Sequence, residues 1–327
     1  MFDPPASAGP PGPPATPGAA GRALPVTVVM NVGSGSQDKD EAHDAIAAVL
    51  AAGGRDARLL VARRPRDLAK LAQDAARTRP GILAAAGGDG TLNAVASVAH
   101  AHDLPFAVIP LGTFNYFARE LGIALDPATA ARQMLDGTIR RVPVGRVNGR
   151  LFLNNASIGL YRRLIEQREL DKRRFGRNRV VALFSGIVSL LREHRPYRLR
   201  LHIDGRPVEL STLTVFFGRN ALQMEQLGLD EAACVARGEL AVLALREVGR
   251  PELFGLALRG ALARLETAAN LRQYCALTVQ IERLDGRAGH LRVAVDGELV
   301  DCPLPLVVEA VPNALQVVVP RVPVERA

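Results

Sequence analysis

The sequence predicts an α/β chain. An open, mostly parallel α/β region covers about residues 24–140, and a mainly antiparallel β region covers 141–327. Three observations predict it. Between residues 25 and 120 an apolar run, a Gly- or Pro-containing turn and a helical stretch recur, the alternation that builds a parallel sheet. Beyond about Arg141 that rhythm gives way to β-branched runs joined by Asn-Gly and Asp-Gly pairs, the mark of two-residue hairpins. The first 23 residues hold seven Pro, four Gly and six Ala, and read as a disordered tail outside the fold.

Taken in order, residues 25–30 are a buried strand that runs into the polar turn Asn31-Val32-Gly33-Ser34-Gly35-Ser36, with a helix over about 38–52. Residues 58–62 and 65–77 are the next strand and helix. The strand at 82–86 enters Gly87-Gly88-Asp89-Gly90-Thr91-Leu92-Asn93, whose helix runs to about His100. Residues 106–109 end in Pro110-Leu111-Gly112-Thr113-Phe114-Asn115 before another helix. In an open sheet of this kind ligands bind beyond the carboxyl ends of the strands, so the three glycine turns converge on one edge. The second region reads as hairpins at 142–147/151–154 (Asn148-Gly149) and 199–203/208–217 (Asp204-Gly205). Further strands fall at 240–245, 276–283, 291–295 and 298–300, helices near 179–192 and 253–267 interrupt, and the last strand is free to return to the first region.

Composition bounds the function classes. In 327 residues, 48% are hydrophobic, aromatics make up 4% and Trp is absent, so the cores are built from Ala, Val and Leu. A net charge of +8 favours an anionic partner, although a basic proteome explains it equally well. Cys234, Cys275 and Cys302 have no C-x-x-C spacing, which suggests free thiols in a reducing compartment. No apolar run reaches the ~18 residues of a membrane span, and the tail lacks the basic and apolar parts of a signal peptide. These features predict a cytoplasmic protein whose membrane contact is peripheral.

The glycine turn at 87–93 carries the chemistry. Three glycines allow positive φ and bring peptide N–H groups close to an anion, and the helix that opens there adds its positive end. Asp89 is out of place in a bare anion site. A magnesium-bearing polyphosphate, or a hydroxyl to be oriented, accounts for it. By itself the turn reads equally as a tight strand–helix connection.

Four segments in order resemble the diacylglycerol kinase catalytic family, whose superfamily also holds the sphingosine kinases and, more distantly, the NAD kinases. They are Gly87–Asn93, Pro110-Leu111-Gly112-Thr113-Phe114-Asn115-Tyr116-Phe117-Ala118-Arg119, Asn155-Ala156-Ser157-Ile158-Gly159, and Val295-Asp296-Gly297-Glu298. The resemblance covers nearly everything after the tail. It implies an α/β nucleotide-binding domain, a β-sandwich domain, and ATP- and Mg²⁺-dependent phosphorylation of a lipid hydroxyl, most simply that of diacylglycerol, in the cleft between them. By the same resemblance Asn31, Gly33, Ser34, Gly35, Gly87, Gly88, Asp89, Gly90, Thr91, Leu92, Asn93, Thr113 and Asn115 line the nucleotide. Asp89 meets the metal of Mg-ATP, and Glu298 accepts the hydroxyl proton. Phosphoryl transfer needs charge neutralisation and positioning more than covalent chemistry, and the residues suit that need.

Other readings stay open. Asp296-Gly297-Glu298 also reads as a hairpin turn with a solvated Glu, and Thr113 and Asn115 as a cap and turn residue. His100 and His102 lack a third ligand, and His194 and His202 lack a partner pattern. Residues 162–179 hold eight Arg or Lys and precede an apolar run, so 162–191 could meet an anionic bilayer or form a solvated loop and a core-facing helix. There is no aromatic interleaving that would suit nucleic acid. A homodimer is compatible with the sequence. Departures from the family pattern are Leu160-Tyr161-Arg162, Phe114, and Arg237 where an Asp is expected, which argues against the accessory Mg²⁺ site that some members carry. Two alternatives compete with a lipid kinase: a kinase of a soluble acceptor such as NAD, and a nucleotide-sensing module without transfer.

Overall fold

The computed structural model describes residues 24–32, 37–159, 196–226, 232–246, 270–286 and 289–323. In the first region, β1 (Val26–Asn31), β2 (Ala57–Ala62), β3 (Ile82–Gly87) and β4 (Phe106–Pro110) pair in parallel in the order β4-β3-β1-β2. The helices α1 (Gln37–Ala52), α2 (Leu68–Thr78) and α3 (Asp89–Ala101) connect them, and α4 (Tyr116–Glu120) and α5 (Pro127–Asp136) follow β4. Every residue of β3 is buried although Ala84, Ala85 and Ala86 are poor strand formers. Their small side chains suit a central strand covered on both faces, where packing overrides propensity.

The second region is built from antiparallel strands. They are β5 (Thr138–Val147), β6 (Arg150–Phe152), β7 (Asn155–Gly159), β8 (Tyr197–Ile203), β9 (Arg206–Gly218), β10 (Leu240–Arg246), β11 (Leu271–Ala276), β12 (Thr278–Arg283), β13 (His290–Val295), β14 (Glu298–Pro303) and β15 (Leu306–Val319). Two short helices, α6 (Ala221–Gln226) and α7 (Ala232–Ala236), lie between β9 and β10. The turn pairs Asn148-Gly149, Asp204-Gly205 and Asp296-Gly297 all have positive φ at both residues, as a type I′ hairpin requires. β15 joins the regions: it pairs antiparallel with β12 and β5 and then runs parallel to β4 at Val317↔Phe106. The hydrogen-bonded order is therefore continuous, β14-β13-β7-β9-β8-β12-β15-β4-β3-β1-β2. One apolar core, with Ile46, Leu83, Leu92 and Phe106, serves the parallel sheet, and a second, with Phe152, Leu201, Phe217 and Ile281, serves the antiparallel strands.

Several readings change. The helix at 65–77 begins as a 3-10 turn, Pro65–Asp67. The strand expected at 276–283 is β12 from Thr278 on, while Ala276 ends a separate strand, β11, that begins at Leu271; between them the Leu277 and Thr278 N–H groups turn to the Asp204 carboxylate. Cys234 and Cys275 are not free thiols but form a disulfide between α7 and β11, while Cys302 is free and buried. With the partners 41 residues apart in sequence, only the fold brings their Cα atoms to 5.4 Å, and no local spacing could show it. Arg237 bonds Glu239 and the Cys275 sulfur. The stretches 1–23, 33–36, 160–195 and 247–269 lie outside the described residues, and with them Gly33, Ser34, Gly35, Tyr161, the basic run and the helices expected near 179–192 and 253–267. Among the described residues no helix is long and apolar enough to cross a membrane.

Candidate active site

The edge beyond the parallel strands is built from two abutting turns. Gly88, with an extended backbone, precedes the first residue of α3, so Asp89, Gly90 and Thr91 form that helix's N-terminal turn, whose N–H groups have no helical partner. Gly112 leads the second turn, where a Cβ would lie 2.9 Å from the Gly88 Cα. A glycine at 112 allows this approach. Asn115 sits in the left-handed region at φ 52 and closes the turn: its Oδ1 accepts from the Gly112 N–H at 3.0 Å and its Nδ2 donates to the Gly112 carbonyl at 2.9 Å. Asn115 is buried and shapes the turn, while Thr113 is exposed on it. Thr91 packs beneath Gly87, and its Oγ1 accepts from Asn31 Nδ2 at 3.3 Å, tying the ends of β1 and β3 together. Leu92 is fully buried in the core and its N–H bonds Gly88 O, so it serves packing rather than a ligand.

Three carboxylates meet this edge. Glu298, at the start of β14, reaches across from the antiparallel region: a Cβ on Gly90 would lie 3.1 Å from its Oε1. The residue is solvent-exposed as a whole, yet desolvation at that contact raises its carboxyl above the usual range, opposed by the Arg150 charge and reinforced by Asp296. Burial pushes Asp89 up to about 6, the Asp296 charge adds to it, and an Asn154 donor works against both. Asp296 is buried, and burial raises it too, against four donors. Its Oδ2 accepts from Leu153 N and Asn93 Nδ2, both at 2.7 Å, and its Oδ1 from Asn154 N at 2.8 Å and Asn155 N at 3.0 Å. Asn93, on α3, also donates to Leu151 O at 2.9 Å. Asn93 and Asp296 thus pin α3 to the β6–β7 segment, and neither is a simple turn or surface residue.

A chain of amides continues from there. Asn154 Nδ2 donates to Asp89 Oδ1 at 3.2 Å, and Asn154 Oδ1 accepts from Asn220 Nδ2 at 3.2 Å. Asn220 Nδ2 also donates to Glu120 Oε2 at 2.7 Å, at the end of α4. Beside Glu298 a cleft of about 450 Å³ opens between α2, α3 and the antiparallel region, bounded by Arg66, Gln73, Ser97, His102 and Arg150. The turns, the positive helix end and the carboxylates form a site that fits a polyphosphate and one hard cation, Asp89 being the oxygen donor at the helix start. Of the residues expected from sequence, the structure gathers Gly87, Gly88, Asp89, Gly90, Gly112 and Glu298 at one edge. It assigns Asn31, Thr91, Asn93 and Asn115 to holding that edge in shape. Asn154, Asn220 and Glu120 were not legible, since no motif links residues 66 and 100 apart.

Comparison with known proteins gives the family. Residues 25–147 match the diacylglycerol kinase catalytic domain and residues 167–319 the YegS C-terminal NAD kinase beta sandwich-like domain. A diacylglycerol kinase of Mycobacterium tuberculosis (strain H37Rv) is 30% identical over 245 residues, 72% of this chain and 75% of that protein. The chain belongs to the diacylglycerol kinase catalytic-domain family. A Pseudomonas aeruginosa (strain PAO1) relative named "Probable lipid kinase YegS-like" is 40% identical over 133 residues, which span 40% of this chain and 44% of the relative's length. The crystal structure of a diacylglycerol kinase from Bacillus anthracis str. Sterne superposes with a TM-score of 0.67 at 20% identity, covering 93% of this chain and 99% of that one. At that identity the likeness shows the fold of the family.

Proposed function

We propose that this member of the family is an ATP-dependent lipid kinase, transferring the γ-phosphoryl group of Mg-ATP to a lipid hydroxyl, with diacylglycerol as acceptor and phosphatidic acid as product. The observation that carries the proposal is Glu298: a carboxylate from the antiparallel region is lodged 3.1 Å from where a side chain on Gly90 would begin, at the N-terminal turn of α3. Mg-ATP, once bound, supplies the transferable phosphoryl group and the charge neutralisation that phosphoryl transfer requires. Backbone N–H groups of Gly88, Gly90 and Gly112 would hold the phosphates. Asp89 faces the phosphates and their metal.

Glu298 takes the proton from the acceptor hydroxyl as its oxygen bonds to the γ-phosphorus, and the bond from phosphorus to the β–γ bridging oxygen breaks to release ADP. Its raised pKa makes it a better proton acceptor than an ordinary surface glutamate, and the Arg150 charge works against that rise. The 450 Å³ cleft beside Glu298 is the place for the acceptor headgroup. The test is transfer of labelled γ-phosphate to a total lipid extract. A labelled lipid that comigrates with phosphatidic acid supports the proposal. Label appearing only on a water-soluble acceptor would replace it with a soluble-substrate kinase, and no label with ATP still bound would leave a sensing module.

A further inference from the structure

The amide chain between Glu120 and Asp89 has a definite direction, and Asn220 enforces it from the side away from Asp89. An asparagine side chain presents an oxygen and an NH₂ of nearly equal size, so its orientation follows from what it faces. Asn220 has no choice. Its Oδ1 meets the Gln223 backbone N–H at 2.9 Å, which can only donate, and its Nδ2 meets the Glu120 carboxylate at 2.7 Å. The second hydrogen of that NH₂ then points at Asn154, so the Asn154 atom facing it must be the oxygen. The Asn154 NH₂ is thereby left to face Asp89 Oδ1. Both asparagines are buried, Asn220 at 0% and Asn154 at 3% exposure, so water cannot substitute for a misdirected partner. Glu120 itself is held by the Ala221 N–H at 3.0 Å, so an anchored carboxylate on α4 and the N-terminal turn of α6 set the direction for a bond made at the start of α3.

We propose that Asn220 is a positioning residue of the phosphoryl-transfer site: it orients the Asn154 amide so that a donor, and not an acceptor, faces Asp89. The proposal rests on the kinase reading for Asp89's role, but not for the orientation itself. The brace spans both regions of the fold, joining α4 to α6 and α6 to the β6–β7 segment. It does so with neutral amides where a purely mechanical strut could use any bonded pair. Polarity, not the presence of contacts, is the property at stake.

That distinction can be tested by inverting the polarity while keeping the contacts. The double variant Glu120→Gln/Asn220→Asp preserves volume, net charge and bonding at this pair. The new amide at position 120 would donate to the new carboxylate at position 220, which still accepts from Gln223 N. That carboxylate cannot donate, so Asn154 lies between two acceptors, and its NH₂ is drawn toward position 220 in competition with Asp89.

The first readout is the side-chain ¹⁵N–¹H resonance pair of Asn154, assigned by its disappearance in Asn154→Asp. In the otherwise natural chain this pair should shift when Asp89 is changed to Asn, and in the double variant that response should be markedly smaller. The second readout is kinetic: kcat should fall at least about tenfold with KM for ATP close to wild type, in a protein that still unfolds cooperatively. The single variant Asn220→Ser supplies a second route should the double variant fold poorly. It keeps a hydroxyl that can accept from Gln223 but is too short to orient Asn154, and should show the same kcat loss. Unchanged kcat in either folded variant, or an Asn154 resonance that never responds to Asp89, overturns the proposal. If the wild-type protein phosphorylates nothing, the resonance still decides the orientation, so failure of the kinase reading is recognised separately.

Discussion

Asp296 should be a structural keystone, and replacing it by Asn tests this more sharply than replacing it by Ala. Its two oxygens each accept two bonds, three of the four from the backbone N–H groups of residues 153–155. An amide offers one accepting oxygen. Set toward Asn154 N and Asn155 N, it leaves its NH₂ pointing at Leu153 N and Asn93 Nδ2, donor against donor. One or two buried donors go unsatisfied, at about 1–3 kcal/mol each, so Asp296→Asn should lose about 1–6 kcal/mol and Asp296→Ala more. Relief from burying a charge acts in the other direction, because burial raises this carboxyl's pKa. Four donors are expected to outweigh it. Urea denaturation at pH 7.5, comparing midpoints at constant slope, measures the difference. An Asp296→Asn protein as stable as wild type would show that desolvation dominates and that the four bonds are not the reason for the carboxylate.

Further outcomes follow from other parts of the site. Asp89 binds its proton more tightly when folded, its pKa raised to about 6 from 3.8, so its contribution favours folding at low pH and is lost as pH rises from about 4 through 6. At 1.36 kcal/mol per pKa unit the loss is at most about 3 kcal/mol; Asp89→Asn should therefore be the more stable protein at pH 7.5 but not at pH 4, and a variant less stable at pH 7.5 would contradict the burial argument. Gly112→Ala drives a Cβ to 2.9 Å from the Gly88 Cα and should weaken binding of a fluorescent ATP analogue at least about tenfold, whereas unchanged affinity would mean the two turns can part freely. Thiol titration of the unfolded, unreduced protein should find one free cysteine, Cys302, and a count of three would remove the Cys234–Cys275 bond.

Much of the parallel half was readable because its signals are local. Buried apolar runs such as 26–30 and 82–86 end in glycine turns at a spacing that only a βα alternation explains, and Asn-Gly or Asp-Gly pairs marked three hairpins that do have positive φ. What escaped depends on distance. The return of the last strand was expected, but the partners of β15 were not, because it pairs with strands far earlier in the chain, and β11 was missed except for Ala276, its strand character resting on pairing with β10. The site divides in the same way. The glycines, Asp89 and Glu298 stand in short motifs, whereas the Glu120–Asn220–Asn154 chain consists of single polar residues whose roles arise from burial and from which atom faces which. A polar side chain inside a β-rich stretch reads as solvent-facing until the fold places it at 0% exposure, as Asn220 is.

The central claim is that Asp89 on α3 and Glu298 from the antiparallel region act on one phosphoryl group. Its most direct test is transfer of labelled γ-phosphate from Mg-ATP to diacylglycerol in mixed micelles by the wild-type, Asp89→Asn and Glu298→Gln proteins. Labelled phosphatidic acid is expected from wild type, none from Asp89→Asn, and at least about 10²-fold less from Glu298→Gln with ATP binding retained. Full turnover by Glu298→Gln would contradict the claim and return that carboxylate to the surface of a hairpin.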